Sequence, residues 1–234
     1  ATERFDADRL DEEAALLAHH HAEAGQHFDA AQWHARAASH IGKSDFTEAR
    51  QHWQRTRELL REVEDQPAAA SLGATACRAL LTLSIRFALA PEEAQRIFEE
   101  GRRWAEASGD PVRVGLLHQA LSVAEATHLR IDSALEHADA FERFARAAAD
   151  PELRAMAYWP SLAPLRVRGD LAELKTRAAA QLEWTREHPE WGVRDWIGAH
   201  GGAFWELGLA GLFLVATPFT VGEQPQQHVL RAVR

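Results

Sequence analysis

Cysteine is almost missing from this chain. One residue in 234, Cys77, is a cysteine, which excludes a disulfide framework and any cysteine-rich zinc module. Lysine is nearly absent as well: Arg outnumbers Lys 24 to 2. Positive charge is in deficit overall, with 26 Lys and Arg against 35 Asp and Glu and a net charge of −9. A chain that acidic offers no bulk basic field to DNA or RNA, so nucleic acid is not expected as a partner. No segment alternates apolar and polar residues over a useful length, so no sheet is expected. Long hydrophobic runs are missing too. The most apolar stretch, Ala203 to Ala216, is 14 residues long and holds Glu206, short of the roughly 20 that span a bilayer. It reads as a buried terminal helix, and no membrane partner is expected. The chain begins at Ala1 without Met and without a basic segment leading into an apolar core. No signal peptide is therefore expected, the location reads as cytoplasmic, and the chain reads as a piece cut from a longer one.

What is abundant is alanine, 46 residues. High alanine with little β-branched content favours helix. Leu10, Ala14, Leu17 and Ala24 follow helical spacing up to Gly25, a helix stop. A second helix is expected from about Phe28 to Ile41, ending at Gly42, and a third from Phe46 to about Val63, capped by Ser44-Asp45. Asp65-Gln66-Pro67 breaks the third. A long apolar helix follows from Ala68 to about Phe87, and Pro91-Glu92-Glu93 opens the next, which ends at Ser108-Gly109.

The pattern then recurs. Asp110-Pro111, Asp150-Pro151 and His188-Pro189 mark equivalent starts, 40 and 38 residues apart, with hinges at Leu129-Arg130 and Arg168-Gly169-Asp170. The second helix of each pair repeats a small–large–small triplet: Ala94, Phe98 and Gly101; Ala134, Ala138 and Phe141; Ala172, Thr176 and Ala179. Earlier copies are Ala30, His34 and Ala37, and Ala49, Trp53 and Thr56. Spacing of four and then three puts each triplet on one helix face, where small residues admit a neighbouring helix. Two helices per 38–45 residues predict an all-α fold, a right-handed α-solenoid of about five hairpins. The repeat domain is expected over residues 1–216. The polar tail 217–234, with Pro218, Gly222 and Pro225, is expected to be loop or short helix.

The spacing of Ala, then an aromatic four residues on, then a small residue three further, with Pro closing each repeat, resembles the tetratricopeptide repeat (TPR), though this repeat is longer than the usual ~34 residues. Longer repeats are similar to the superhelical TPR arrays of maltose-regulon-activator-like bacterial regulators. The segment Ala14 to Leu60, with HARAA and DFTEARQHW, and the segment Pro91 to Pro111, PEEAQRIFEEGRRWAEASGDP, resemble the TPR region of bacterial multidomain class III adenylate cyclases that carry a STAND-type AAA ATPase. The likeness runs from about Leu10 to Leu209, and the tail after Thr217 departs from it. It implies a parent protein that binds ATP and makes cyclic AMP, and attached ATPase and cyclase domains as partners of this piece. No phosphate loop GxxxxGK[ST] and no cyclase core stand in this sequence, so the family's catalytic residues transfer to no position here, and the piece itself is expected not to be an enzyme.

In TPR arrays the first helix of each pair lines a concave groove. Seven residues past each closing Pro stand His118, Tyr158 and Trp196; eleven past stand Ser122, Leu162 and His200; Arg78 lies 40 before His118. Arg78, His118, Ser122, Tyr158, Trp196 and His200 are therefore the expected ligand or partner contacts, being types suited to a peptide or small effector. Other oddities read as structural. His19-His20-His21 point about 100° apart on a helix and cannot converge on one metal. Asp11-Glu12-Glu13 and Glu99-Glu100 read as helix starts or solvent faces, and Cys77 as an inert buried thiol. Pro160 and Pro164 fall within an expected helix and should kink it. No metal and no cofactor are expected. Trp184, Trp191, Trp196 and Trp205 crowd the last hairpins as core or interface. The function that follows is a regulatory interaction domain binding a partner or effector in its groove. The alternative is an oligomerisation scaffold that self-associates through Trp205, Leu209 and Phe213.

Overall fold

The computed structural model describes residues 10–42, 44–63, 66–148 and 150–187. Trp191, Trp196, His200, Trp205, Leu209, Phe213, the apolar run 203–216 and the tail 217–234 lie outside the described residues. Among those described, every regular element is helical and no strand occurs. No helix there is long and apolar enough to cross a membrane. The chain divides between His128 and Leu129 into two compact units.

The first unit holds α1 (Ala14–Glu23), α2 (His27–Ile41), α3 (Phe46–Leu60), α4 (Pro67–Thr82), the short α5 (Ser84–Phe87), α6 (Pro91–Ala107) and α7 (Pro111–Thr127). Sequence neighbours pack in turn: α1 on α2, α2 on α3, α3 on α4, α4 on α6 and α6 on α7, with α4 also against α7. Local chemistry sets the starts. The Asp45 carboxylate accepts from the Thr47 and Glu48 amides, and Asp110 accepts from Val112. These bonds satisfy donors that have no partner within the helix. Pro67, Pro91 and Pro111 each occupy the first helical turn, where their missing N–H costs nothing.

Small residues decide how closely these helices meet. On α6, Ala94, Ile97, Phe98, Gly101 and Ala105 form one buried face. A Cβ on Gly101 would stand 2.7 Å from the Cys77 Cβ and 2.8 Å from Leu117 Cδ2, so hydrogen alone lets α4 and α7 close on α6. Gly73 on α4 plays the same part beneath the Trp104 ring, whose Cδ2 would lie 2.3 Å from an added Cβ. The cluster includes Cys77, Leu80, Leu81, Ile97, Phe98, Leu117 and Leu121. Each full-size apolar side chain buried there contributes roughly 1.5–3 kcal/mol.

The second unit holds α8 (Ile131–Ala147), α9 (Pro151–Ala155), α10 (Trp159–Arg168) and α11 (Leu171–Glu187). Both α9 and α10 pack on α8, and both also meet α11. Leu135, Leu162, Leu165, Leu174 and Ala178 make its core. Arg177 of α11 reaches back to α8, at 2.6 Å from Asp139 and 3.5 Å from Glu142, and holds Glu173 at 2.7 Å.

Three expectations need correcting. The apolar helix from Ala68 does not run unbroken to Phe87: it ends at Thr82 and resumes as α5 after Leu83. Pro160 does not kink a continuous helix. The helix from Pro151 stops at Ala155 and a new one starts at Trp159 with Pro160 in its first turn, because the Pro160 ring would strike the carbonyl four residues back. Pro164 does lie within α10. The third small–large–small triplet is on the wrong face: Ala172, Thr176 and Ala179 are exposed. Leu174 and Ala178 are buried instead, at 2% and 0% exposure. The buried positions keep a strict period of 40, from Ala94 to Ala134 to Leu174. The 38-residue mark at Pro189 had imposed a two-residue slip.

Candidate functional site

The residues expected to line a groove are placed as follows. Arg78 stands half-buried on α4, and His118 and Ser122 on α7, which packs on α4. The His118 ring meets Phe98 edge-on at 5.0 Å. Ser122 has 0% exposure, so it contributes to packing between helices and offers no hydroxyl to an incoming molecule. Leu162, its counterpart 40 residues on, belongs to the second core. Tyr158 lies in the second unit. Trp196 and His200 lie outside the described residues.

Tyr158 sits at a cleft. The interruption of helix between α9 and α10 leaves Met156 to Tyr158 in a turn, beside a hollow of about 270 Å³ lined by Arg146, Arg154, Ala157, Tyr158, Ala180 and Trp184. Arg146 comes from the last turn of α8. It is tied to Glu142 one turn earlier at 2.8 Å. It donates to the Tyr158 hydroxyl, and its guanidinium carbon lies 5.2 Å from the Tyr158 ring centre, within reach of a cation–π contact. Arg154, on α9, is exposed and makes no ion pair or side-chain hydrogen bond with the described residues. The hollow therefore pairs two aromatic walls with one guanidinium whose charge is offset by Glu142 and one with no charged partner among the described residues. Tyr158 and Trp184 stand out in the sequence, and neither arginine does. The readable signal was Arg154 and Tyr158 at a four-residue interval, the spacing of neighbours on a helix face.

A second charged cluster belongs to the first unit. Glu100, expected on a solvent face, is 14% exposed at its side chain and accepts from Arg57 and Arg61, each at 2.7 Å. Burial alone would raise the Glu100 carboxyl, but hydrogen bonds from the two arginines outweigh it and hold it below the ordinary carboxylate value. The cluster ties α3 to α6 across 43 and 39 residues of sequence. Glu99, its neighbour, pairs with Arg102 on its own helix.

The histidines separate as geometry requires. His21 donates from Nδ1 to Gln26 Oε1 at 2.6 Å and stacks on Trp33, away from its neighbours. Another pair does meet: His34 of α2 and His52 of α3 stand Nδ1 to Nδ1 at 2.8 Å. One ring must donate and the other accept, so the pair holds a single proton between its two Nδ1 atoms. Burial, then the charges of His52 and Arg55, press His34 down to about 4. Burial also lowers His52, against the pull of Glu48. Among the described residues no three His, Cys, Asp or Glu are grouped to hold a metal. Cys77 is fully buried, and that burial pushes its thiol up to about 12, so it stays protonated and unreactive. Asp11 is held by Arg36 at 2.5 Å. Comparison with protein-family models, curated proteins and solved structures gave no match.

Proposed function

We propose that this chain is a non-catalytic interaction module: a TPR-like array of helical hairpins that binds a partner or small effector and passes the event to domains attached in a longer parent. The observation that carries the reading is the cleft at Tyr158, where Arg154, with no charged partner among the described residues, and two aromatic side chains line one hollow. Three other polar clusters have structural uses. Glu100 joins α3 to α6, Arg177 joins α8 to α11, and the His34–His52 pair joins α2 to α3. Buried positions 40 residues apart, Ala94, Ala134 and Leu174, support the repeat character, because equal repeats bury equivalent positions.

The resemblance to class III adenylate cyclases with an ATPase module supplies the parent, in which the module would sense and the attached domains would respond. The mechanism is a shift of population. An effector that prefers one arrangement of the hairpins moves the regulator toward that arrangement by its differential affinity. Small-angle scattering of the intact parent, with and without candidate effectors, tests this. A change of radius that saturates with effector supports the reading. Scattering curves that superimpose for an effector shown by titration to be bound overturn it.

A further inference from the structure

We infer that the hollow between α8, α9 and α11 is a site for a small aromatic acid, one planar ring bearing a carboxylate, held by Arg154 through its charge and by Tyr158 and Trp184 through the ring. The inference rests on the binding-module reading and names the chemistry of its ligand.

Size comes first. At about 270 Å³ the hollow falls just below the ~300–1,000 Å³ of sites for drug-sized ligands, which suits one ring. Charge comes next. Arg146 is already engaged, with Glu142 at 2.8 Å and with the Tyr158 hydroxyl. That leaves Arg154 as the guanidinium able to offer two parallel N–H donors, and a carboxylate matches that fork in two places at once. Tyr158 and Trp184 line the hollow together with Ala157 and Ala180, whose methyl groups leave room for a ring. Aromatic pairs add about 0.5–1.5 kcal/mol beyond the area they bury.

Arg146 has a positioning role. Its contact with the Tyr158 hydroxyl anchors the phenol from the α8 side, and its place over the ring fixes the plane. Glu142 in turn holds Arg146 and is 3.5 Å from Arg177, so the wall of the hollow is braced by the same ion network that joins α8 to α11.

Titration calorimetry on the full chain with four probes tests the inference: benzoate, phenyl phosphate, benzyl alcohol and acetate. Benzoate is expected to bind with a dissociation constant of about 1 mM or below. Acetate, without a ring, and benzyl alcohol, without a charge, are each expected to bind at least tenfold more weakly. Phenyl phosphate reports whether the fork accepts a phosphate in place of the carboxylate, and equal or tighter binding there widens the ligand class to aromatic anions. Arg154→Ala should weaken benzoate about tenfold, and Arg154→Lys should recover part of the loss. Because Arg154 is exposed, both variants are expected to melt as the wild type does. Tyr158→Phe should cost less than Arg154→Ala. No binding by any probe, equal binding of benzyl alcohol and benzoate, or an Arg154→Ala variant that binds as tightly as wild type would each overturn the inference. None of these results touches the scattering test of the parent, where a protein partner or a different effector would still register.

Discussion

At Gly101 the difference between a closed and an open helix pair is one methyl group. Helix propensity alone says that alanine there should gain about 1 kcal/mol over glycine. The added Cβ would instead stand 2.7 Å from Cys77 Cβ and 2.8 Å from Leu117 Cδ2, and overpacking of that kind costs typically 1–3 kcal/mol. Gly101→Ala is therefore expected to destabilise the chain by up to about 2 kcal/mol, reversing the sign that propensity gives, and urea denaturation followed by circular dichroism will show it. At this scale some features were open to reading and others were not. Asp45 and Asp110 as caps and Cys77 as a buried thiol are local facts, set by a residue and its near neighbours. The depth of Glu100 is not local, because it depends on Arg57 and Arg61 arriving from another helix. The same holds for the tie between Arg146 and Tyr158, two residues that only the fold of a turn brings together.

Helices were legible as elements because proline, glycine and capping acids punctuate them, and the starts at Phe46, Pro91, Pro111 and Pro151 follow those marks. Where no such residue stands, the sequence was silent. The break at Leu83 lies in an apolar run with neither proline nor glycine. The face of α11 was misread for a related reason: alanines occur on both sides of that helix, so small residues alone could not say which side meets α10, and Leu174 decides it. Contacts between elements also set a pH dependence. His34 is held near 4 in the fold, whereas a free histidine titrates near 6.5. Between those values the unfolded chain binds more protons than the folded one, so stability is complete above about pH 6.5 and falls as the pH drops toward 4. Doubly protonated rings cannot share one hydrogen bond, and α2 and α3 lose their tie at that point. The loss is expected to be about 1–3 kcal/mol. Denaturation curves at pH 7 and pH 4.5, for wild type and for His34→Gln, measure it: the difference between the two pH values should shrink in the variant. An unchanged difference would assign the acid sensitivity to other groups such as Glu100.

At the scale of the whole chain, the division between His128 and Leu129 is the feature with the widest reach. Leu129 holds a left-handed backbone, φ 57, at 70% exposure. For a residue with a Cβ this costs about 1–2 kcal/mol, and it marks the turn between α7 and α8. Two compact units with their own cores are expected to unfold in two calorimetric transitions. Gly101→Ala should lower one of them, and Leu165→Ala, which empties a site at 1% exposure for about 2–5 kcal/mol, should lower only the other. A single transition shifted equally by both substitutions would show that the units unfold as one. Cys77 gives that division a further use. It is the sole cysteine of the chain, it is shut inside the first unit, and its thiol is far too weak an acid to react while closed. A thiol-specific dye mixed with the native protein must therefore wait for that unit to open. The colour it develops keeps time for one half of the molecule and ignores whatever happens in the other.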